Sequence, residues 1–466
     1  MMNRNYVNLN TNPCKMCMPI GGCLALKGIE QTMVMMHGSQ GCSTYMRRHI
    51  STHYNEPVDI ASSALNEKET VYGGEKNLKK GLANVIKMYE PKVIGVLTTC
   101  LAETIGEDIR AISESFKTEN NVSDLDIVTI ATPGYGASQY EGYFAALKAL
   151  VTYFAKDANP SSHINVITTL MTPADQRLLK EMLSDFGLSF VLLPDISETL
   201  DAPYETQYHK IPKDGTKRED IAKMGGAIAT IEIGQLVYDE ISPGYALYAT
   251  HGVPMHRLPM PIGITQTDAL LDLLSKLSGN AIPEKYVKQR GRMLDAMVDS
   301  HKYNGEGRAA IFGDPEIVLA TTALCAENGI KPEIIATGTQ SKTFKQFVET
   351  LSFSGKESAA ILDDTDFDTI QKLVRERGVN LLIGNSDGKF VMEKEGVPLV
   401  RIGFPIHDQV GAQRKCYIGY EGSLRFLDDL TNTILDHKHM HYRRNVINTY
   451  FKPTEAVEKG AIDYDA

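Results

Sequence analysis

The sequence has few cysteines and no surplus of positive charge. Its 466 residues include seven cysteines, an odd and sparse number that is unlike the dense, even sets of disulfide-stapled secreted domains. Acidic residues number 58 against 48 basic ones, for a formal charge of -10, so we expect neither nucleic acid nor a membrane as a partner. The cysteines are expected to be thiols or metal ligands in a reducing compartment.

Long apolar runs and common nucleotide motifs are also missing. No stretch of 18 apolar residues occurs, and nothing near the N-terminus has the pattern of a targeting segment, so we expect a cytoplasmic protein. No GxxxxGK[ST] motif is found, and the GYGASQ run that begins at Gly134 lacks the third glycine of a dinucleotide fingerprint. A phosphate-binding loop is therefore not expected, and any cofactor must be of another kind.

Short apolar runs alternate with helical patterns along most of the chain. Such runs span 92–100, 125–134, 163–173, 308–314, 358–364, 380–386 and 398–404, and a helical pattern follows each of the first five. This alternation is typical of βαβ units in parallel sheets that are covered on both faces, and it predicts an α/β fold. Because ligands bind beyond the carboxyl ends of such strands, Cys100, Asp314 and Ser386 lie where a site is expected.

The length leaves room for about three domains of roughly 150 residues. A polar stretch at 159–162 closes a first block, and a helical pattern at 284–307 connects a second block to a third. We place the domains at 1–159, 160–300 and 301–434. A final helix that starts near Gly419 is expected to bring residues 435–466 back onto the first domain.

Three cysteines are candidate ligands of an iron–sulfur cluster. Cys17 and Cys42 lie in segments rich in Gly, Pro and Ser that we expect to be loops, and Cys100 ends an apolar strand. Thiolates are the soft ligands that such clusters require, and glycine lets the backbone approach a bulky cluster closely. Three thiolates are an incomplete set for a four-thiolate cluster, so either a partner chain or a non-cysteine group must complete it.

The other candidates have simpler interpretations. Cys23, Cys325 and Cys416 are expected to be buried core thiols, and Cys14 could form a redox pair or half of a zinc site with Cys17. Ser138 follows a strand end, where a hydroxyl usually caps a helix. Two histidines remain weak candidates: His37 could orient the loop before Cys42, and His407 could line a cavity.

Seven motifs in order resemble the nitrogenase component 1 family on its β-type side. They run from about Asn12 to about Asp436 and read NPCKMCMPIGG, HGSQGC, RHISTHYNEPVDIASSALNEKETVYGG, TTCLAETIGEDI, TPGYGASQYEGY, QRGRMLDAMVDSH and GFPIHDQVGAQR. The resemblance implies three Rossmann-like domains with mostly parallel sheets. It also implies an α2β2 heterotetramer with a homologous α-like subunit, of the NifE or NifD type, and a transient ATP-dependent iron-protein reductase.

Site residues follow from the same resemblance. Cys17, Cys42 and Cys100 match the β-side cysteines that ligate an interfacial iron–sulfur cluster, either [4Fe-4S] or a P-cluster-like [8Fe-7S] cluster shared with the partner. Ser138 matches a serine that can approach this cluster. The motif wording is most similar to NifN, the β-like subunit of the scaffold on which the iron–molybdenum cofactor is assembled. This implies an electron-relay subunit rather than a substrate site; the alternative is the β subunit of a catalytic nitrogenase or nitrogenase-like reductase.

Overall fold

The computed structural model of this protein describes residues 12–122, 124–207, 209–211 and 213–450, apart from the side chains of residues 441, 444, 445 and 448–450. It contains three parallel sheets that follow one another along the chain. Helices connect the strands, as the alternation of apolar runs and helical patterns predicts. The predicted α/β class with mostly parallel sheets is confirmed.

The first sheet has four strands in the order β2-β1-β3-β4. Its strands are β1 (Thr32–His37), β2 (Ile60–Ser62), β3 (Val93–Thr98) and β4 (Asp126–Ile130). Its helices are α1 (Met18–Lys27), α2 (Gln40–Tyr54), α3 (Glu67–Tyr72), α4 (Glu75–Tyr89), α5 (Cys100–Thr104), α6 (Ile109–Asn120) and α7 (Gln139–Phe154). Every residue of the central strands β1 and β3 is buried, which explains their continuous apolar sequences.

The second sheet also has four strands, in the order β6-β5-β7-β8. Its strands are β5 (Ile164–Thr168), β6 (Phe190–Leu193), β7 (Ala229–Ile233) and β8 (Met255–Leu258). Its helices are α8 (Pro173–Asp185), α9 (Arg218–Ala222), α10 (Pro243–His251), α11 (Ile264–Ser278) and α12 (Glu284–Asn304). The last of these helices leads into the third sheet. A predicted domain boundary after residue 300 therefore falls inside α12, and the boundaries stay predictions.

The third sheet has five strands in the order β11-β10-β9-β12-β13. Its strands are β9 (Arg308–Gly313), β10 (Lys331–Thr337), β11 (Ala360–Leu362), β12 (Leu381–Gly384) and β13 (Leu399–Arg401). The remaining helices are α13 (Pro315–Glu327), α14 (Phe344–Thr350), α15 (Phe367–Arg377), α16 (Lys389–Glu395) and α17 (Gly419–Tyr450). Short 3₁₀ turns lie at 223–226, 356–358, 386–388 and 412–414.

Helix α17 begins at Gly419, where the sequence predicts a helix. It packs against α12, and the Thr431 hydroxyl lies 2.8 Å from Asn304 Oδ1. The predicted return of residues 435–466 to the first domain stays a prediction, because residues 451–466 lie outside the described part of the chain. Within the described residues, no helix is long and apolar enough to cross a membrane.

Candidate metal centre

The three candidate thiols lie at the starts of three helices. Cys17 is the N-cap residue of α1, Cys42 lies in the first turn of α2, and Cys100 is the first residue of α5. The strands that lead to Cys42 and Cys100 are β1 and β3, which are paired in parallel so that His37 aligns with Thr98. Their carboxyl ends therefore meet at one edge of the sheet. The expectation that Cys42 lies in a loop is wrong, because Gly41 and Cys42 lie in the first turn of α2.

Gly134 brings two of these cysteines together. A Cβ atom at Gly134 would lie 3.1 Å from the Sγ atom of Cys100 and 3.6 Å from the Sγ atom of Cys17. The chain after β4 continues past Gly134 to Ser138, whose backbone forms an antiparallel bridge with Cys17. Cys17 and Cys100 are exposed and Cys42 is partly buried, so the three thiols open onto the surface of the chain.

The thiols influence one another electrostatically. Partial burial of its thiol raises the pKa of Cys17, and the neighbouring Cys100 and Cys42 thiols raise it further, whereas Lys15 opposes the shift. Like charges repel at short range, so a cation placed among three adjacent thiolates would stabilise them. The donor set therefore suits a positively charged inorganic group.

A buried histidine connects the segments that carry Cys42 and Cys100. His37 Nδ1 lies 2.9 Å from the Ser63 hydroxyl, and its Nε2 lies 3.5 Å from a carboxylate oxygen of Glu107. The His37 carbonyl accepts hydrogen bonds from the Thr99 amide at 3.2 Å and the Thr99 hydroxyl at 3.1 Å. Burial lowers the pKa of His37, and the nearby Glu107 carboxylate opposes this. His37 thus links the end of β1, which leads to Cys42, to Thr99, the residue before Cys100. Its predicted role in orienting the loop before Cys42 stays a prediction.

Ser138 is buried and caps α7. Its amide donates a hydrogen bond of 2.7 Å to Glu141, and its hydroxyl donates one of 3.1 Å to the same carboxylate. The hydroxyl also lies 2.7 Å from the hydroxyl of Thr339, which follows β10 of the third sheet. The helix-cap interpretation is confirmed, and Ser138 lies beside Cys17 through the backbone bridge between them.

The remaining cysteines belong to the core. Cys14, Cys23 and Cys325 are buried, and burial raises the pKa of Cys325 to about 12. Cys14 packs with the core of the third sheet, and Cys416 is partly buried near Asp175. Among the described residues, no group of three or more His, Cys, Asp or Glu side chains is arranged to hold a single metal ion.

Some residues around the thiols could not be assigned from the sequence. Gly134 lies in the quoted TPGYGASQYEGY motif, but the sequence does not indicate that its missing side chain allows the approach of Cys100 and Cys17. Thr339 and Glu107 lie far along the chain from the residues they contact. Glu107 falls within the TTCLAETIGEDI motif, whereas no quoted motif includes Thr339. A simple spacing signal exists for Glu141 alone, because it follows the cap residue Ser138 by three positions.

Three thiols gathered near one edge of the first sheet, in a chain of three parallel sheets, define an α/β protein with a candidate metal centre at a sheet edge. The nitrogenase component 1 type oxidoreductase family matches residues 17–435. This chain belongs to that family, and it is of the β-chain type.

Curated relatives and solved structures agree with this assignment. The chain is 35% identical over 438 residues to the nitrogenase molybdenum-iron protein beta chain of Methanococcus maripaludis, covering 91% of this chain and 94% of that one. It is 32% identical over 431 residues to the same-named chain of Clostridium pasteurianum, with 92% and 94% covered. A chain in the structure titled "Nitrogenase Cp1 at pH 6.5" is 31% identical, with a TM-score of 0.89 over 96% of this chain and 97% of that one.

Proposed function

We propose that this chain is the β subunit of a catalytic nitrogenase or nitrogenase-like reductase. Cys17, Cys42 and Cys100 would hold part of an iron–sulfur cluster at the interface with a homologous α-type subunit. The approach of Cys17 and Cys100 around Gly134 is the observation that carries this proposal. It is supported by the names of the relatives described above, which are molybdenum-iron protein beta chains.

The donor set favours a cluster that two chains share. The chain offers three surface thiols in one place, and a second homologous chain with a similar set would bring the total above the four that a [4Fe-4S] cluster uses. We therefore favour a larger, P-cluster-like [8Fe-7S] cluster. Such a group stores and passes electrons, while the protein fixes its thiolate ligands and couples cluster binding to subunit association.

Other parts of the proposal concern partners and location. We propose an α2β2 assembly in a reducing cytoplasm, served by an ATP-dependent iron-protein reductase, with the substrate site mainly in the α-type subunit. Ser138 would be a further residue beside the cluster, and its hydroxyl is held by hydrogen bonds with Glu141 and Thr339.

The NifN scaffold interpretation has less support, because the relatives reported above are named as molybdenum-iron protein chains.

The two roles differ in what the purified complex does. The chain is purified without oxygen together with its α-type partner and a reductase, and ammonia formation that depends on ATP and dinitrogen is measured. Sustained turnover is expected for a catalytic subunit. A complex that contains the cluster and shows no turnover, but transfers a cofactor precursor to a separate apo-enzyme, would contradict the catalytic proposal and favour the scaffold. As a control, the same assay is run without the reductase.

A further inference from the structure

A groove runs along the outer side of β4, and we call it the β4 groove. It has a volume of about 510 Å³, and Ile127, Val128 and Thr129 of the strand form its floor. Helices α6 and α7 form its two walls. Strand β4 is the last strand of the first sheet, so β3 pairs with one side of it and no strand of the described chain pairs with the other. The groove therefore gives access to an unpaired strand edge.

The peptide groups of β4 alternate between its two sides. The Asp126 amide donates a hydrogen bond of 3.0 Å to the carbonyl of the residue before β3, so the backbone groups of Asp126 face β3. Those of Ile127 and Thr129 therefore face the groove. The Tyr153 hydroxyl lies beside the backbone of Ile127. Within the described chain, neither the amide nor the carbonyl of Thr129 has a hydrogen-bond partner, so both can bind a second strand.

Basic side chains line both walls of the groove. Four basic residues lie there with only two acidic ones, and they are Arg110, Lys117, Lys148 and Lys156, with Glu114 and Glu240. Among the described residues, no carboxylate forms an ion pair with any of the four cations. Lys148 donates a hydrogen bond of 2.6 Å to the Glu240 carbonyl, and Lys156 Nζ lies 5.6 Å from the centre of the Tyr153 ring. The groove is thus basic in a chain whose formal charge is -10, and it complements an acidic partner.

The β4 groove is separate from the thiol site. Cys42 and Cys100 follow the carboxyl ends of β1 and β3, whereas the groove follows the side of β4 and extends to Lys156, beyond the C-terminal end of α7. We propose that the groove binds an extended acidic segment of another polypeptide, which pairs with β4 as an additional strand. Backbone hydrogen bonds to Thr129 hold the segment along the strand, and its carboxylates contact the basic walls. This inference does not depend on the proposed function.

The strand edge and the charges together favour a peptide over other polyanions. A nucleic acid could use the basic walls, but it has no backbone amides and carbonyls in the spacing that pairs with a β-strand. Successive side chains of a strand point to opposite faces, so alternate residues of the bound segment reach α6 and α7 in turn. Acidic residues at successive positions of the segment therefore meet basic residues on both walls.

Peptide binding tests both parts of the proposal. The probe is a fluorescent, capped hexapeptide of four Glu and two Val, and its anisotropy is measured with the purified full-length chain in its complex. We expect saturable binding with a dissociation constant below about 1 mM. A peptide with Gln in place of Glu should bind at least about tenfold more weakly. The acidic peptide with methylated backbone amides should lose about as much, because it cannot pair with β4. Equal binding of the methylated peptide would overturn the strand pairing.

Charge reversal locates the binding site. Arg110→Glu changes one wall and Lys156→Glu the other, and both side chains are exposed, so we expect the variants to fold. Each should raise the dissociation constant of the acidic peptide at least about threefold, and the double variant at least about tenfold. Lys372→Glu on α15 reverses an exposed lysine outside the groove and should leave binding unchanged. The proposal is overturned if the acidic peptide does not bind, or if the double variant binds it as tightly as the original protein.

Discussion

His53 lies in α2 and is buried against the loop that follows β13, where its imidazole ring is neutral. The backbone amide of Ile406 donates a hydrogen bond of 2.8 Å to its Nδ1 atom, and its ring contacts Phe404 edge-on at 4.9 Å between centroids. Burial lowers the pKa of His53 to about 3. A protonated ring would be a buried charge and would lose the hydrogen bond to Ile406, because Nδ1 could no longer accept it.

This environment predicts how stability depends on pH. The unfolded chain takes up a proton at His53 near pH 6.5, whereas the folded chain excludes it down to about pH 3. The stabilisation is complete above pH 6.5 and is lost as the pH falls toward 3, by roughly 1.4 kcal/mol per pH unit. His53→Asn keeps an acceptor for Ile406 and cannot titrate. Denaturation with urea at pH 7, 6 and 5 should therefore show a flatter pH dependence for this variant; equal slopes would contradict the account.

Individual residues were predictable where a local rule applies. The cap role of Ser138 and the burial of Cys23 and Cys325 follow from neighbouring residues and from residue type. The contact of Ser138 with Thr339 does not, because it joins residues 201 positions apart and both partners are common polar types. Such contacts depend on how the sheets pack together, which a short sequence pattern does not contain.

Helices α1 and α7 cross closely, and two glycines allow it. A Cβ atom at Gly21 of α1 would collide with the carbonyl oxygen of Gln139, and one at Gly142 of α7 would collide with the carbonyl oxygen of Met18. The same two helices have Cys17 and Ser138 at their N-termini. The close crossing therefore determines how near Ser138 lies to the candidate ligand Cys17.

Gly142→Ala should separate the two helices. The added methyl group meets backbone atoms that cannot rotate away, and we expect a loss of about 1–3 kcal/mol in the free energy of unfolding. Gly305→Ala is the control, because Gly305 has φ -60° and a Cβ atom there would meet the nearest other atom, His301 O, at 3.8 Å. Chemical denaturation compares the variants. Equal stability of the two would show that the crossing tolerates a side chain.

At the scale of elements, the apolar runs predicted strands correctly at β3, β4, β5, β9, β11, β12 and β13. Two edge strands lack a comparable sequence signal for physical reasons. Strand β2 has only three residues, all of them partly buried, and β8 has the mixed sequence MHRL. An edge strand needs fewer apolar residues, because one side of it is not paired. Apolar runs therefore identify edge strands such as β4 and β11 and miss β2 and β8.

One carboxyl group links all three sheets of the molecule. Glu316 in α13 accepts hydrogen bonds from the Leu236 amide at 2.6 Å and from the Tyr140 hydroxyl at 2.8 Å. Leu236 follows β7 of the second sheet, and Tyr140 lies in α7, which follows the first sheet. Burial raises the pKa of Glu316 to about 7, and the two donors oppose this shift. The sequence indicates about three domains, but no pattern within it reveals that a single side chain joins them.

At the scale of the whole molecule, the proposed function requires that thiols from distant segments share inorganic iron with a second chain. Cys17, Cys42 and Cys100 come from separate segments, and the fold brings them to one edge of the first sheet. Cys325 is the internal comparison, since it is a buried core thiol in α13. Replacing one of the three surface thiols should therefore lower the iron content of the complex, whereas replacing Cys325 should leave it unchanged.

The most direct measurement is the iron and acid-labile sulfide content, with the electronic spectrum, of the anaerobically purified complex carrying Cys100→Ala or Cys325→Ala. Cys100→Ala should lose most of the cluster signal and weaken the association with the α-type partner, because the metal–ligand bonds join the two chains. Cys325→Ala should keep the spectrum and lose only about 1 kcal/mol of stability. Equal iron content and identical spectra in the two variants would contradict the assignment of Cys100 as a cluster ligand.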